Sequence, residues 1–323
     1  MVEMRYFRAV NKALHDTMQE DDSVVVFGED VAMAGGVFKV THGLHDTFGE
    51  ARVRDTPISE ATIASMGVGA AMTGLKPVVE IMFMDFIALS MDAIVNQAAK
   101  ARFMFGGRSS VPMVLRTPHG GGLSAGPQHS QCLEAWFAHV PGLKVVCPAT
   151  PNDAYGMLKT AIQDPDPVIF VEHKGMYAAK GDVDVDATIP LGKARIAREG
   201  DHATIVTYGA TLNACLKAAD VMAEEGVRVE VIDLRSIQPW DKATVMASLQ
   251  KTHRLLIVHE AVQDFGVGAE IAAWAASEAF DELDAPVLRE AAPFMPVPFS
   301  RALESQYNVS VDRVCAAVRN LIR

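Results

Sequence analysis

The feature that most narrows the fold of this chain is a repeated alternation of short, β-branched apolar runs with longer helical ones. SVVVFG at 23–28, KPVVEIMF at 76–83, VPMVLRT at 111–117, LKVVCP at 143–148 and PVIFVE at 167–172 read as strands. Residues 4–19, 60–74, 87–104, 131–139 and 151–163 read as the helices between them, and Thr150 before Pro151 supplies a cap and a first-turn proline for the last. Strands separated by helices form parallel βαβ units. A parallel sheet is covered on both faces, which explains why these strands are almost wholly apolar.

The rhythm then breaks. Between Gly175 and Gly192 the chain runs through KGDVDVDATIPLG, small and acidic with no apolar period, and residues 176–192 read as a linker. Alternation resumes with strands at 203–209, 227–234 and 254–260 and helices at 210–225, 241–250 and 266–280. PFMPVPFS at 293–300 is an extended, proline-rich turn before a last helix near 310–322. A chain of 323 residues exceeds what one core usually supports. Two α/β domains are therefore expected, 1–175 and 193–323.

Half of the residues are hydrophobic and 21% are charged, the composition of a soluble globular protein. A net charge of -11 argues against general electrostatic attraction to nucleic acid or an anionic membrane. The opening MVEMRYFRAV lacks the apolar run of a secretory signal, and the uncharged helical stretch 61–75 is too short and glycine-rich to span a bilayer. Cys132, Cys147, Cys215 and Cys315 are widely spaced with no C-x-x-C pair, so a reducing cytoplasm is the expected location.

Three short segments carry candidate chemistry. DTPISE at 55–60 puts Glu60 in the first turn of an apolar helix, where a carboxylate either complements the helix dipole or works as a proton relay. FMDF at 83–86 brings an aromatic ring to the end of a strand, and GPQHSQ at 126–131 brings His129 on a glycine-rich loop. An acid, a flat ring and a histidine make a plausible pocket.

Other motifs fail on context. HGGGLSAG at 119–126 resembles both an oxyanion loop and a G-x-S-x-G elbow around Ser124, but a serine hydrolase needs a strand directly before the serine and a helix directly after it. Gly67, Gly69 and Gly74 miss the dinucleotide fingerprint because Met72 stands where a glycine is required, and close helix packing explains them better. His42 and His45 lack further ligands at metal spacing. There is no P-loop and no GDG followed by a paired asparagine. A phosphorylated cofactor would need another chain to hold its phosphates.

The sequence resembles the beta subunits of the thiamine-diphosphate-dependent first components of 2-oxo-acid dehydrogenase complexes. The resemblance rests on GEDV at 28–31, RDTPISE at 54–60, GLKPVVEIMFMDF at 74–86, DAIVNQAAKARFMFGG at 92–107, GPQHSQ at 126–131, PGLKVVCPATPNDA at 141–154 and VEVIDLRSIQPWD at 229–241. EIMFMDF and FVEHKGMY are most similar to acetoin dehydrogenase beta subunits, with pyruvate dehydrogenase next. The resemblance implies a thiamine-diphosphate-binding, transketolase-type pyrimidine domain followed by a transketolase C-terminal-like α/β domain. It implies a heterotetramer of two alpha and two beta chains, with alpha holding the diphosphate and magnesium, and a lipoyl acyltransferase core that receives the acyl unit.

By the same resemblance, Glu60 hydrogen-bonds N1′ of the cofactor's aminopyrimidine and gives the cofactor an internal base. Phe86 packs on that ring, and Ile58 lines it. His129 handles charge and protons during acyl transfer to lipoamide. Met82 stands at a cofactor-contact position where many pyruvate and branched-chain enzymes carry glutamine, which favours an acetoin-like member. A structural potassium ion is implied at Met113, Ala161, Ile162, Asp164 and Asp166. The competing functions are a serine hydrolase using Ser124 and a non-catalytic subunit that docks the acyltransferase.

Overall fold

The computed structural model describes residues 1–323, which divide into two compact units. The first comprises Met1–His119 and Trp136–Leu191, the second Gly120–Ala135 and Gly192–Arg323. This grouping differs from the sequence-based division at 175 in two places. Residues 120–135 belong with the second unit, and 176–191 belong with the first.

In chain order the first unit holds β1 (Val2–Arg5), α1 (Tyr6–Glu20), β2 (Val24–Gly28), α2 (Leu44–Phe48), β3 (Val53–Asp55), α3 (Glu60–Met72), β4 (Lys76–Glu80), α4 (Ala99–Met104) and β5 (Val114–His119). After α5 (Glu134–Ala138) come β6 (Lys144–Val146), α6 (Pro151–Gln163), β7 (Val168–His173) and β8 (Lys180–Val183). Six of these strands are parallel neighbours in the order β6-β7-β5-β4-β2-β3. The expected linker contains β8, which pairs antiparallel with β1. Both strands are short and mostly exposed, so neither carries the apolar signal that marks the sheet.

Helix α1 turns Ala9, Val10, Ala13, Leu14 and Met18 inward and packs against α6. Helix α3 is unusual in placing a glycine on the sheet. A Cβ at Gly67 would sit 2.6 Å from Met113 Sδ and 2.7 Å from Val79 Cγ2, so only glycine lets the helix approach this closely. Gly69 and Gly74 have open space at that position. Of the three glycines, close packing explains Gly67 alone. The single helix expected at 87–104 is instead a 3-10 turn at Met84–Ser90, a π-helical stretch at Asp92–Ala98 and then α4.

Arg116, on the central strand β5, is 1% exposed. Its Nε and Nη2 donate to the two carboxylate oxygens of Glu172 at 2.7 and 2.8 Å, and Nη1 donates to Glu80 Oε2 at 2.6 Å. Tyr177 Oη donates to Glu172 Oε2 at 2.9 Å. Burial favours loss of the arginine's proton, but the Glu172 and Glu80 carboxylates override it and hold the guanidinium charged. One cation thus ties three adjacent strands together, since β4, β5 and β7 are neighbours.

The second unit continues with β9 (Arg195–Arg198), β10 (Ala203–Thr207), α7 (Thr211–Glu224), β11 (Val229–Asp233), the short β12 (Ser236–Gln238), α8 (Lys242–Thr252), β13 (Leu255–Val262), α9 (Val267–Glu278), β14 (Leu288–Ala292), α10 (Arg301–Tyr307) and α11 (Val311–Leu321). Its sheet runs β14-β13-β10-β11-β9, parallel except at the β9 edge. No helix is long and apolar enough to cross a membrane.

Candidate active site

In an open parallel sheet, ligands bind beyond the carboxyl ends of the strands. The carboxyl edge of the first unit's sheet gathers several of the residues singled out from the sequence. Glu29 follows β2, the DTPISE segment follows β3, Met82 and Phe86 follow β4, and His119 and His173 end the paired strands β5 and β7.

Local hydrogen bonds fix the DTPISE segment. Asp55 closes β3, and its carboxylate accepts from the amides of Ala32 at 2.7 Å and Met33 at 3.2 Å. The amide of Thr56 donates to the carbonyl of Gly28 at 2.9 Å. These bonds tether the segment to the loop after β2 and so bring Glu60, the first residue of α3, beside Glu29. Glu60 is 8% exposed, and no group of the protein donates a hydrogen bond to its carboxylate. Glu29 is 7% exposed, and its Oε1 is buried without a partner. Burial raises the pKa of Glu29, and the negative charges of Glu60 and Asp30 raise it further. A buried carboxylate oxygen without a donor, such as Glu29 Oε1, is costly. A ligand that brings its own donors would relieve that cost.

Helix α3 packs against the Met84–Ser90 turn, which carries Phe86. The ring of Phe86 is half-buried and meets Phe83 edge to face, with centroids 6.2 Å apart at 88°. Phe86 thus lies on this turn rather than at a strand end, because β4 stops at Glu80. Met82 is half-buried, whereas Ile58 is 82% exposed. The sequence reading gave no role to Glu29, though it lies in the GEDV motif, and none to His119 or His173. The two imidazoles are buried and meet edge to face with centroids 5.5 Å apart.

His129 lies in the second unit, on the irregular loop 120–133, and is half-buried. Its amide donates to the carbonyl of Gly126 at 3.3 Å. Ser124, on the same loop, has a φ of 55°, and its hydroxyl lies 3.4 Å from Glu304 Oε2. Strand β5 ends at His119 and the next helix starts at Glu134, so the strand-turn-helix of a nucleophile elbow is absent.

The residues implied for potassium cluster around the end of α6. The carbonyl of Ala161 accepts from the amide of Asp164 at 3.2 Å, and that of Met113 accepts from Val168 at 2.9 Å. Ile162 is buried on α6. Lys144 Nζ contacts both carboxylate oxygens of Asp164 at 2.6 Å, and Arg102 pairs with Asp166. Each carbonyl retains a second lone pair for a hard cation, while both carboxylates already face basic groups.

Residues 2–180 match the transketolase pyrimidine-binding domain and residues 192–314 match the transketolase C-terminal domain. The two-domain chain is thus of the transketolase type. It is 43% identical to the 2-oxoisovalerate dehydrogenase subunit beta of Bacillus subtilis, with 98% of each chain covered. It is 45% identical to the acetoin:2,6-dichlorophenolindophenol oxidoreductase subunit beta of the same organism, covering 97% of this chain and 96% of that one. Against the pyruvate dehydrogenase E1 component subunit beta of Rhizobium meliloti it is 45% identical over 99% of this chain and 70% of the relative. Among solved structures, a split-gene transketolase described as an inactive beta4 tetramer superposes with a TM-score of 0.82 at 21% identity, covering 99% of this chain and 98% of that one. The chain belongs to the family of dehydrogenase E1 beta subunits that contains the pyruvate, 2-oxoisovalerate and acetoin members.

Proposed function

We propose that this chain, joined by an alpha subunit in a two-alpha, two-beta assembly, cleaves acetoin or decarboxylates pyruvate or a related 2-oxo acid and passes the acyl unit to lipoamide on an acyltransferase core. The observation that carries this reading is the Glu60 carboxylate, buried at the start of α3 with no donor of its own. Bound thiamine diphosphate supplies the carbanion chemistry. Glu60 holds a proton at the aminopyrimidine N1′, a donor that fits its unfilled acceptors. Phe86 orients the ring at little entropic cost, and Met82 and Ile58 provide apolar contact. His129 carries charge and protons during acyl transfer. The chain has no motif for a diphosphate, so the alpha subunit holds that group and its magnesium.

Near-equal identity to acetoin, pyruvate and 2-oxoisovalerate members leaves the choice of substrate to a few contacts, and Met82 favours acetoin. The chain forms no disulfide, in keeping with the cytoplasm. Potassium at the α6 end is supported by its oxygen-rich donors, and a higher melting temperature in potassium than in sodium chloride would support it further.

The test is oxidation of acetoin, pyruvate and a branched-chain 2-oxo acid by the purified chain, alone and reconstituted with alpha, thiamine diphosphate and magnesium. Activity in the reconstituted mixture alone is expected, with acetoin the best substrate. A verified assembly with bound cofactor that turns over none of the three would favour the docking subunit instead.

A further inference from the structure

We propose that Glu304, assisted by Glu260, is a positioning residue that fixes the loop carrying His129. The loop from Gly120 to Leu133 has no helix or strand to occupy its backbone donors. Such donors must find partners elsewhere when they are shielded from water. Glu304, 2% exposed on α10, accepts from the amide of Gly122 at 2.8 Å through Oε1 and from the amide of Ser124 at 2.9 Å through Oε2. Glu260 Oε1 accepts from the amide of Gly121 at 2.6 Å. Two carboxylates of the C-terminal half thus hold three backbone amides within four consecutive residues. Hydrogen bonds to an ionised acceptor are about twice as strong as neutral ones.

The segment that bears Glu304 grips the loop a second time. A Cβ at Gly126, where φ is +77°, would fall 2.1 to 2.4 Å from atoms of the Phe299 ring. The ring therefore occupies the space that any other residue would need. Gly126 then accepts the amide of His129, so the clamp reaches to within one hydrogen bond of the imidazole's own residue. It also accounts for the φ of 55° at Ser124, a conformation rare for a residue with a side chain. Ser124 turns its amide and its hydroxyl toward one carboxylate oxygen, serving the loop's geometry rather than nucleophilic chemistry.

The inference rests on the role given to His129, and the test separates the two. Glu304→Ala, Glu304→Gln, His129→Ala and the Glu304→Ala/His129→Ala double variant are each assembled with the alpha subunit, thiamine diphosphate and magnesium. Hydrogen exchange of peptides spanning 120–135 reads the clamp. Glu304→Ala should speed exchange there and leave peptides from β10 and β13 unchanged, whereas wild-type exchange in the loop would overturn the clamp. Acyl transfer to lipoamide reads the positioning.

Misplacing a reacting group by about 1 Å can cost on the order of a hundredfold. Glu304→Ala should therefore slow transfer about 10- to 100-fold. Glu304→Gln keeps the volume and one acceptor oxygen and should fall in between. The double variant should be no slower than His129→Ala alone, because a displaced loop has nothing left to misplace. Losses that multiply would show that Glu304 acts independently of His129 and would overturn the proposal. Wild-type transfer by His129→Ala would remove the role of the histidine, and the positioning claim with it, while the exchange data would still report on the clamp.

Discussion

Two groups of buried carboxylates in the first unit make an instructive contrast. Glu80 and Glu172 lie in the sheet facing one cation, Glu80 through a single guanidinium contact and Glu172 through the Arg116 fork and the Tyr177 hydroxyl. Glu29 and Glu60 lie at the sheet's carboxyl edge with no cation against them. The satisfied group is a staple. Glu29 and Glu60 keep unfilled acceptors at the sheet's carboxyl edge, where the proposed function puts the cofactor. Buried acids are thus told apart less by burial than by the donors supplied to them.

The contrast can be broken most forcefully at Arg116. Arg116→Met would leave two buried carboxylates without their cation and should destabilise the fold by about 3–5 kcal/mol, seen as a large fall in the urea midpoint. A loss below about 1 kcal/mol would mean that the triad is not the staple described. Tyr177→Phe removes one donor from Glu172 and should cost about 1–2 kcal/mol while leaving the bidentate arginine contact in place.

The smallest effect should have the opposite sign. The folded-state pKa of Glu29 is raised above the ordinary 4.5, by burial first and then by Glu60 and Asp30. Below the unfolded value both states carry the proton and there is no penalty. As pH rises from there through the folded value, the unfolded chain releases the proton first and stability falls, with the full penalty present above that range. Glu29→Gln should therefore leave the melting temperature unchanged in acid and raise it near pH 8. A gain of equal size at both pH values would show that the charge of Glu29 is not what the site pays to keep.

Much of this architecture is legible in the sequence, for definite reasons. The buried strands announce themselves because a parallel sheet covered on both faces needs apolar runs, as in Val24–Gly28 and the first four residues of Val168–His173. Helix α6 runs from Pro151 to Gln163 as expected, and the hydroxyl of Thr150 accepts from the amide of Asp153 at 3.1 Å. The edge strands β1, β8 and β9 were not legible, since short and largely solvated segments carry no periodic signal.

Glu60 stood out through its motif, but its missing donor and its charged neighbour Glu29 depend on where two separate loops meet. The same holds for Glu304, which lies 182 residues from the glycine it holds. The move of residues 120–135 to the second unit has the same origin, because tertiary hydrogen bonds, unlike hydrophobic period, leave no local mark.

The central claim is that Glu60 is kept without a donor so that it can engage the aminopyrimidine of thiamine diphosphate. The most direct measurement is deuterium exchange at the reactive thiazolium carbon of cofactor bound to the reconstituted assembly, comparing wild type with Glu60→Gln. The account predicts that the variant folds and retains the cofactor but exchanges about a hundredfold or more slowly, the scale of a lost acid–base contribution. Exchange at the wild-type rate in a cofactor-loaded Glu60→Gln assembly would contradict it.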